Sequence, residues 1–418
     1  MCSRKHMRRR LIAAISLALL VGLAWAAAPA LSLRPYMPGG VDFERPLPEP
    51  KRLGAGAIAA AREAEPGAPP PRWISPPVEA PHEFDLVGVA RQRRTVEIRV
   101  REDGGEWSDW VEQEDGTPVY VDGADEAQVR ARFRPRGRLH FVNVSGTAGG
   151  IGSRLLNSAR EAINSAFISI ATVPVAEALA PKPPVVSRAG WGADLPDGGC
   201  PPRRSAAYGS VDAAVIHHTV NANDYAPEEA AAIVLGICRF HVFGNGWDDI
   251  GYNAVVDRYG TLYEGRAGGL KRPVVGAHTA GFNSETTSIA SLGDHTSELP
   301  TPQSQRSIIR YLAWKMGVNR AYPVTAAVEL TSGGGTGNRF PAGTVATVPR
   351  IAGHTTLNAT ECPGATMVPL IAGIQHAVQK RIKRYAKHSR KKCRKLRGEA
   401  KRRCIKKARA RKRNRASR

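Results

Sequence analysis

The chain has 418 residues, 42% hydrophobic and 23% charged, with a formal net charge of +23. That length holds two or three domains, and the composition excludes a disordered or fibrous chain. The charge is concentrated at the ends: residues 380–418 hold 22 basic residues and one acid, and residues 1–10 hold five more. The rest, with 33 basic and 36 acidic residues, is near neutral, which excludes a basic nucleic-acid-binding body.

In chain order, Arg8-Arg9-Arg10 precedes an uncharged run from Leu11 to Leu33, with small residues at Ala24-Trp25-Ala26 and Ala26-Ala27-Ala28. A basic start, an apolar segment and an A-x-A pattern make residues 1–33 an export signal peptide or, if uncleaved, an N-terminal anchor, since about 20 apolar residues span a bilayer. Either way the remainder is exported, hence secreted or cell-wall associated, and meets the membrane only if that segment stays uncleaved. Six cysteines suit an exported chain. Cys2 lies in the first segment, Cys200 can pair with Cys238 and Cys393 with Cys404, which leaves Cys362 over.

Residues 34–81 are rich in Pro and Ala and read as a solvated linker. Over 82–146 the pattern turns to period two: Val96, Ile98 and Val100 alternate with charged residues, as do Val129, Ala131 and Phe133, between turns such as Asp103-Gly104-Gly105 and Asp122-Gly123. This predicts a small all-β, sandwich-like domain with one solvated face. Trp107 and Trp110 either pack on its core or stack on a sugar. Residues 147–184 read as a second linker with a short helix over 155–170.

From 185 to 386 strands and helices alternate. Ala213–Ile216 is an apolar strand, and Pro227 opens a helix running to Phe240. Tyr252–Asp257 and Thr261–Glu264 form a hairpin; Thr301 caps a helix from Pro302 that buries Ile308, Leu312 and Met316. That order predicts an α/β domain whose sheet is covered by helices. Residues 387–418 are a basic tail that repels itself and is disordered or a solvated helix. Its favoured role is retention on anionic wall polymers by counterion release; export argues against nucleic acid as a natural partner.

The chemistry gathers in the α/β domain. His217 ends the Ala213–Ile216 strand, His354 follows Gly353, and Cys362 stands eight residues further on. Two imidazoles and a thiolate, with a fourth position left to water, are a catalytic zinc set. Zinc would lower the pKa of that water to about 7 and polarise a carbonyl beside it. Spacing alone favours a loop histidine and a buried free thiol.

The words around these residues separate the two readings. His217-His218-Thr219, Asp249-Ile250-Gly251-Tyr252-Asn253, Tyr263-Glu264-Gly265-Arg266, Gly276-Ala277-His278, and Gly353-His354 followed by Glu361-Cys362-Pro363-Gly364 occur in that order. Together they resemble the peptidoglycan recognition protein family, also called type 2 N-acetylmuramoyl-L-alanine amidases, over about residues 184–386. The resemblance implies a central mixed sheet flanked by helices, Zn2+ in a surface groove, and hydrolysis of the amide joining N-acetylmuramic acid to L-alanine in peptidoglycan. By motif, His217, His354 and Cys362 match the zinc ligands; Tyr252 and Thr360 match groups that stabilise the transition state; His278 and Asn283 match substrate contacts. Cys362 argues for a working enzyme over the alternative, a catalytically inert peptidoglycan-binding protein. Two departures stand out: Thr355-Thr356 replace an Arg-Asp pair, and Ala267-Gly268 replace a Gly-Trp pair. His218 is read as structural or groove-lining, and His241 as a helix-end packing residue. The β domain resembles, more weakly, a unit found ahead of this domain in exported bacterial amidases.

Overall fold

The computed structural model describes residues 41–395, apart from 65–68, 93, 103, 114–115 and 144–179. The export segment, the helix over 155–170 and the Cys404 pairing lie outside the described residues. No described helix is long and apolar enough to cross a membrane.

Eight antiparallel strands build the first unit: β1 (Val41–Pro46), β2 (Lys51–Arg52), β3 (Trp73–Ile74), β4 (Val78–Val89), β5 (Val96–Arg101), β6 (Val111–Gln113), β7 (Val119–Ala131) and β8 (Arg138–Asn143). The long β7 organises it, pairing with β4 along one part of its length and with β5 and β3 along another. Alternation buries Val96, Ile98 and Val100 against Phe84, Val129 and Phe141 while Glu97, Arg99 and Arg101 face outward. The expected linker over 34–81 departs from this picture from Val41 onward. Val41–Pro46 pairs along β8 and stacks Phe43 on Phe141 with ring centroids 5.3 Å apart, and α1 (Ala55–Ala64) follows β2. Proline content hid β1 because Pro46 closes an edge strand, where a missing N–H costs no ladder bond.

Trp107 and Trp110 neither pack on the core nor offer a bare ring. They intercalate between guanidiniums on the outer face, in the order Arg101, Trp107, Arg99, Trp110, Arg130, each arginine carbon 4.5–4.7 Å from a ring centroid. Glu126, Gln128 and Glu97 hold the three arginines from their other edges.

The second unit is a mixed five-stranded sheet in the order β11-β10-β12-β9-β15. Its members are β9 (Ala213–His218), β10 (Ala254–Val256), β11 (Leu262–Glu264), β12 (Thr286–Ser291) and β15 (Ile351–Gly353). All neighbours run parallel except β10 and β11. β9 is buried over its whole length, as a parallel strand covered on both faces must be. One face packs Ala214, Ile216, Val256 and Ile289 under α3 (Pro302–Val318) and α4 (Ile371–Lys395). The other packs Val255, Ala290 and Leu292 under α2 (Ala230–Arg239). Thr301 caps α3 by accepting from the Ser304 N–H, and Pro302 fills its first turn. A hairpin of β13 (Ala327–Thr331) and β14 (Val345–Pro349) adds Leu330, Ala346 and Val348 over Val215. α4 carries the helix to Lys395, so the first residues of the basic tail are helical.

The expected helix through Phe240 does not stop there: α2 passes into a π-helical turn, Phe240–Gly244. That turn joins the two units. Leu86 and Val142 of the β domain lie in one apolar cluster with Val234, Ile237 and Phe240, and Phe240 meets His140 with ring centroids 5.6 Å apart. Arg239 forms an ion pair with Asp42, and Asn245 Nδ2 donates to the Gly116 carbonyl at 2.6 Å. Gly88 lets the Phe240 ring approach, since a Cβ there would collide with it. Gly88→Val is expected to destabilise the whole chain by about 1–3 kcal/mol through this overpacking. The check is a lower chemical-denaturation midpoint; an unchanged midpoint would contradict the interface.

Candidate active site

Strand register brings the first two candidate ligands together. β9 and β15 are parallel, with Gly353 opposite Ile216, so the residues that follow, His217 and His354, emerge side by side at one sheet edge. Their imidazole centroids are 4.5 Å apart. The chain after His354 then folds back. The Thr355 N–H donates to the Cys362 carbonyl at 2.7 Å, and the Cys362 N–H donates to Thr360 Oγ1 at 3.1 Å. Cys362 Sγ thereby comes to 3.6 Å from His217 Nδ1. Gly353 permits the fold-back, since a Cβ there would lie 2.9 Å from Pro363 Cδ and 2.8 Å from Ile371 Cδ1.

One donor atom from each of His217, His354 and Cys362 lies within 4.8 Å of the others, and all three residues are buried. Burial, with His354, His278 and His218 nearby, pushes the His217 pKa well below its usual value. Burial, with His218 nearby, pushes His354 down to about 3. Both rings are therefore neutral near pH 7, the form that ligates a metal, and the set of two nitrogens and one sulfur fits zinc with a position to spare. A second group, Cys200, Cys238 and Asp249, has no thiolate to offer because Cys200 and Cys238 form a disulfide. Cys362 is a free, buried cysteine.

The triad opens on a cavity of about 510 Å³ that Tyr252, His278, Asn283 and Thr360 also line. Tyr252 sits with its ring 5.4 Å from that of His217. It is held there through its neighbours: Asp249 accepts from Arg188 at 3.1 Å and from the Ala267 N–H at 2.7 Å, and Asn253 Oδ1 accepts from the Ser288 N–H at 2.8 Å. Arg188 also donates to the carbonyls of Cys200 and Gly265, both at 2.7 Å, tying the disulfide to the tyrosine loop. His278 Nδ1 stands 3.3 Å from His217 Nε2, while its Nε2 is buried with no partner among the described residues. Asn283 Oδ1 accepts from the N–H groups of His278 and Thr279 at 2.8 and 2.9 Å, so its carbonyl shapes the loop that presents His278. His218 Nδ1 accepts from the His295 N–H at 3.1 Å, a structural contact at the cavity rim.

All seven residues singled out by sequence thus line one cavity. His241 joins them where a packing residue was expected. Its Nδ1 accepts from the Gly251 N–H at 3.1 Å, which puts the ring proton on Nε2, a buried atom without a partner among the described residues, and the ring lies 4.6 Å from that of Trp247. No motif marked it, because a histidine in a helical run reads as packing until the π-helical turn is known to lead to the cavity. The β-domain residues Arg91, Gln92, Gly116 and Thr117 also line the cavity.

With this geometry in hand, comparison with known proteins is direct. Residues 207–365 match the family described as N-acetylmuramoyl-L-alanine amidase. This part of the chain is similar to the peptidoglycan recognition protein and type 2 amidase family. The N-acetylmuramoyl-L-alanine amidase of Sus scrofa is 36% identical over 139 residues, which are 32% of this chain and 21% of the relative. The chain thus spans about a fifth of that protein's length. Peptidoglycan-recognition protein SC2 of Drosophila melanogaster is 28% identical over 206 residues, 49% of this chain and 92% of the relative. Among solved structures, Drosophila PGRP-LB is 24% identical, covering 45% of this chain and 92% of that one with a TM-score of 0.35.

Two outcomes are expected. Cys362→Ser and His354→Ala each lose bound zinc, measured as metal per chain after dialysis; full stoichiometry in either variant would contradict the ligand set. Burial pushes the His241 pKa down to about 3, so the unfolded chain binds one proton more than the folded chain between about pH 6.5 and 3. His241 therefore stabilises the fold above that window and loses the contribution as pH falls through it. Denaturant midpoints of His241→Gln should fall less steeply with acidification than those of the parent; parallel profiles would contradict the assignment.

Proposed function

We propose that this chain is a zinc-dependent N-acetylmuramoyl-L-alanine amidase that hydrolyses the amide between N-acetylmuramic acid and L-alanine in peptidoglycan. The observation that carries the reading is the convergence of His217, His354 and Cys362 at one cavity: a recognition module has no need of a thiolate beside two neutral imidazoles. Likeness to that family supports action on or recognition of peptidoglycan, and the triad adds the means to hydrolyse.

Zinc, when bound by the triad, supplies Lewis acidity for activating water and polarising the amide carbonyl. The chain's own residues do the rest. The Tyr252 hydroxyl donates to the oxygen on which negative charge develops. Thr360, whose Oγ1 is oriented by the Cys362 N–H at 3.1 Å, holds the cysteine loop and presents its hydroxyl to the same space. His278 and His241 line the same cavity beside the triad, and hydrogen bonds made to substrate in so buried a place gain strength from the low dielectric. The basic start and apolar run of residues 1–33 support export, and the cationic tail supports retention on anionic wall polymers.

The test is digestion of purified peptidoglycan by the full chain, with products identified by mass spectrometry. Free stem peptides beginning at L-alanine, lost on chelation and restored by zinc, are expected. Tyr252→Phe should lower kcat by about 10²–10³ with zinc retained, as for loss of one oxyanion donor. Peptidoglycan that is bound but left uncut by the zinc-loaded protein would overturn the enzyme in favour of recognition.

A further inference from the structure

The β domain does more than precede the α/β domain: it forms one wall of the catalytic groove. Two of its turns, the β4–β5 connection around Arg91 and the β6–β7 connection around Gly116, reach the cavity that holds the triad. Gln113 clamps these turns together, its Oε1 accepting from the Val89 N–H at 2.7 Å and its Nε2 donating to the Val89 carbonyl at 3.2 Å. Beyond Thr360 lies a second cavity of about 890 Å³. Arg94, Thr95 and Arg132 of the β domain face Asp294, Thr296 and Arg339 of the α/β domain across it. Both cavities are lined by His218, Val220 and Thr360, so they are two stretches of one groove.

A polymer whose amide sits at the triad must leave it in two directions, one along its peptide and one along its sugars. We propose that the second cavity is a glycan subsite: it takes the chain of N-acetylated hexosamines on the sugar side of the amide, held between the β domain and the α/β domain. The inference rests on the amidase reading only for where the amide lies. Three observations carry it. The lining is balanced in charge, with Arg94, Arg132 and Arg339 against Glu97, Glu112, Asp294 and Glu361, so a polyanion gains nothing there. The same lining mixes donors, acceptors and the hydroxyls of Thr95, Thr296 and Thr360, which suits the uncharged hydroxyl and acetamide groups of sugars. The wall is also rigid: Trp110 is locked between Arg99 and Arg130, Arg130 is paired with Glu97, and the ion pair of Asp42 with Arg239 anchors the domain. Pre-organisation of this kind strengthens binding of a flexible polymer because little of the wall must be ordered on contact.

The test is calorimetric titration of the full chain with linear, uncharged β-1,4-linked N-acetylglucosamine oligomers. The parent is expected to bind them, and Thr95→Trp, which fills the cavity, to weaken binding at least about tenfold. Arg132→Ala, at an exposed position that the fold does not need, should weaken it in the same direction, with zinc content per chain unchanged in both variants. Equal glycan affinity in the parent and both variants would overturn the proposal. So would a variant that loses affinity for free stem peptide while keeping it for glycan. The titration involves no turnover, so digestion of intact peptidoglycan by the same chain separates the two readings: glycan bound but no stem peptide released would sink the amidase reading and leave the subsite standing, and stem peptide released with equal glycan affinity in parent and variants would do the reverse.

Discussion

Everything at the site depends on the parallel pairing of β9 with β15. Because Gly353 stands opposite Ile216, two histidines separated by more than a hundred residues leave adjacent strands at the same level. A one-residue slip would turn one of them to the other face of the sheet. The strands themselves have little freedom to slip, since Ala214, Ile216 and Ile351 are sealed under α3 and α4. Hydrophobic burial thus sets the geometry of the candidate ligands, and the triad adds only the short cysteine loop closed by the Thr355–Cys362 hydrogen bond.

The same logic extends outward. The Cys200–Cys238 disulfide, the buried Arg188 and Asp249 form one polar node beneath the Tyr252 loop. The buried Arg188 guanidinium is compensated by Asp249 and by the two carbonyls that accept from it. That node fixes where the tyrosine stands relative to the triad. On the other side, the π-helical turn after α2 places His241 at the cavity and Phe240 against the β domain in one stroke. A wide turn that closes a helix therefore serves both the site and the joint between domains.

How much of this was legible in the sequence follows from which forces act locally. The apolar run Ala213–Ile216 ending in His217, the Thr301-Pro302 start of α3 and the period-two strands β5 and β7 are local patterns, and they read true. The candidate ligands were legible through ordered words, since each word serves a nearby backbone need: Asp249 pins its own loop, and Asn253 bridges to β12. The rest depends on partners far along the chain. β1 hides among prolines because its reason to be a strand is β8, about a hundred residues later. Trp107 and Trp110 look like core or sugar platforms until the arginines of β5 and β7 are seen between them. Leu86, Val142 and Phe240 read as ordinary core residues, and nothing local says that the core they share spans two domains.

The central claim is that His217, His354 and Cys362 hold a zinc ion at the mouth of a groove. Zinc K-edge X-ray absorption on the purified full chain tests it without reference to activity or substrate. The expected spectrum fits two imidazole nitrogens at about 2.0–2.1 Å, one sulfur at about 2.3 Å and one light atom from solvent. A zinc-loaded protein whose spectrum shows no sulfur, or more than one, would contradict the account.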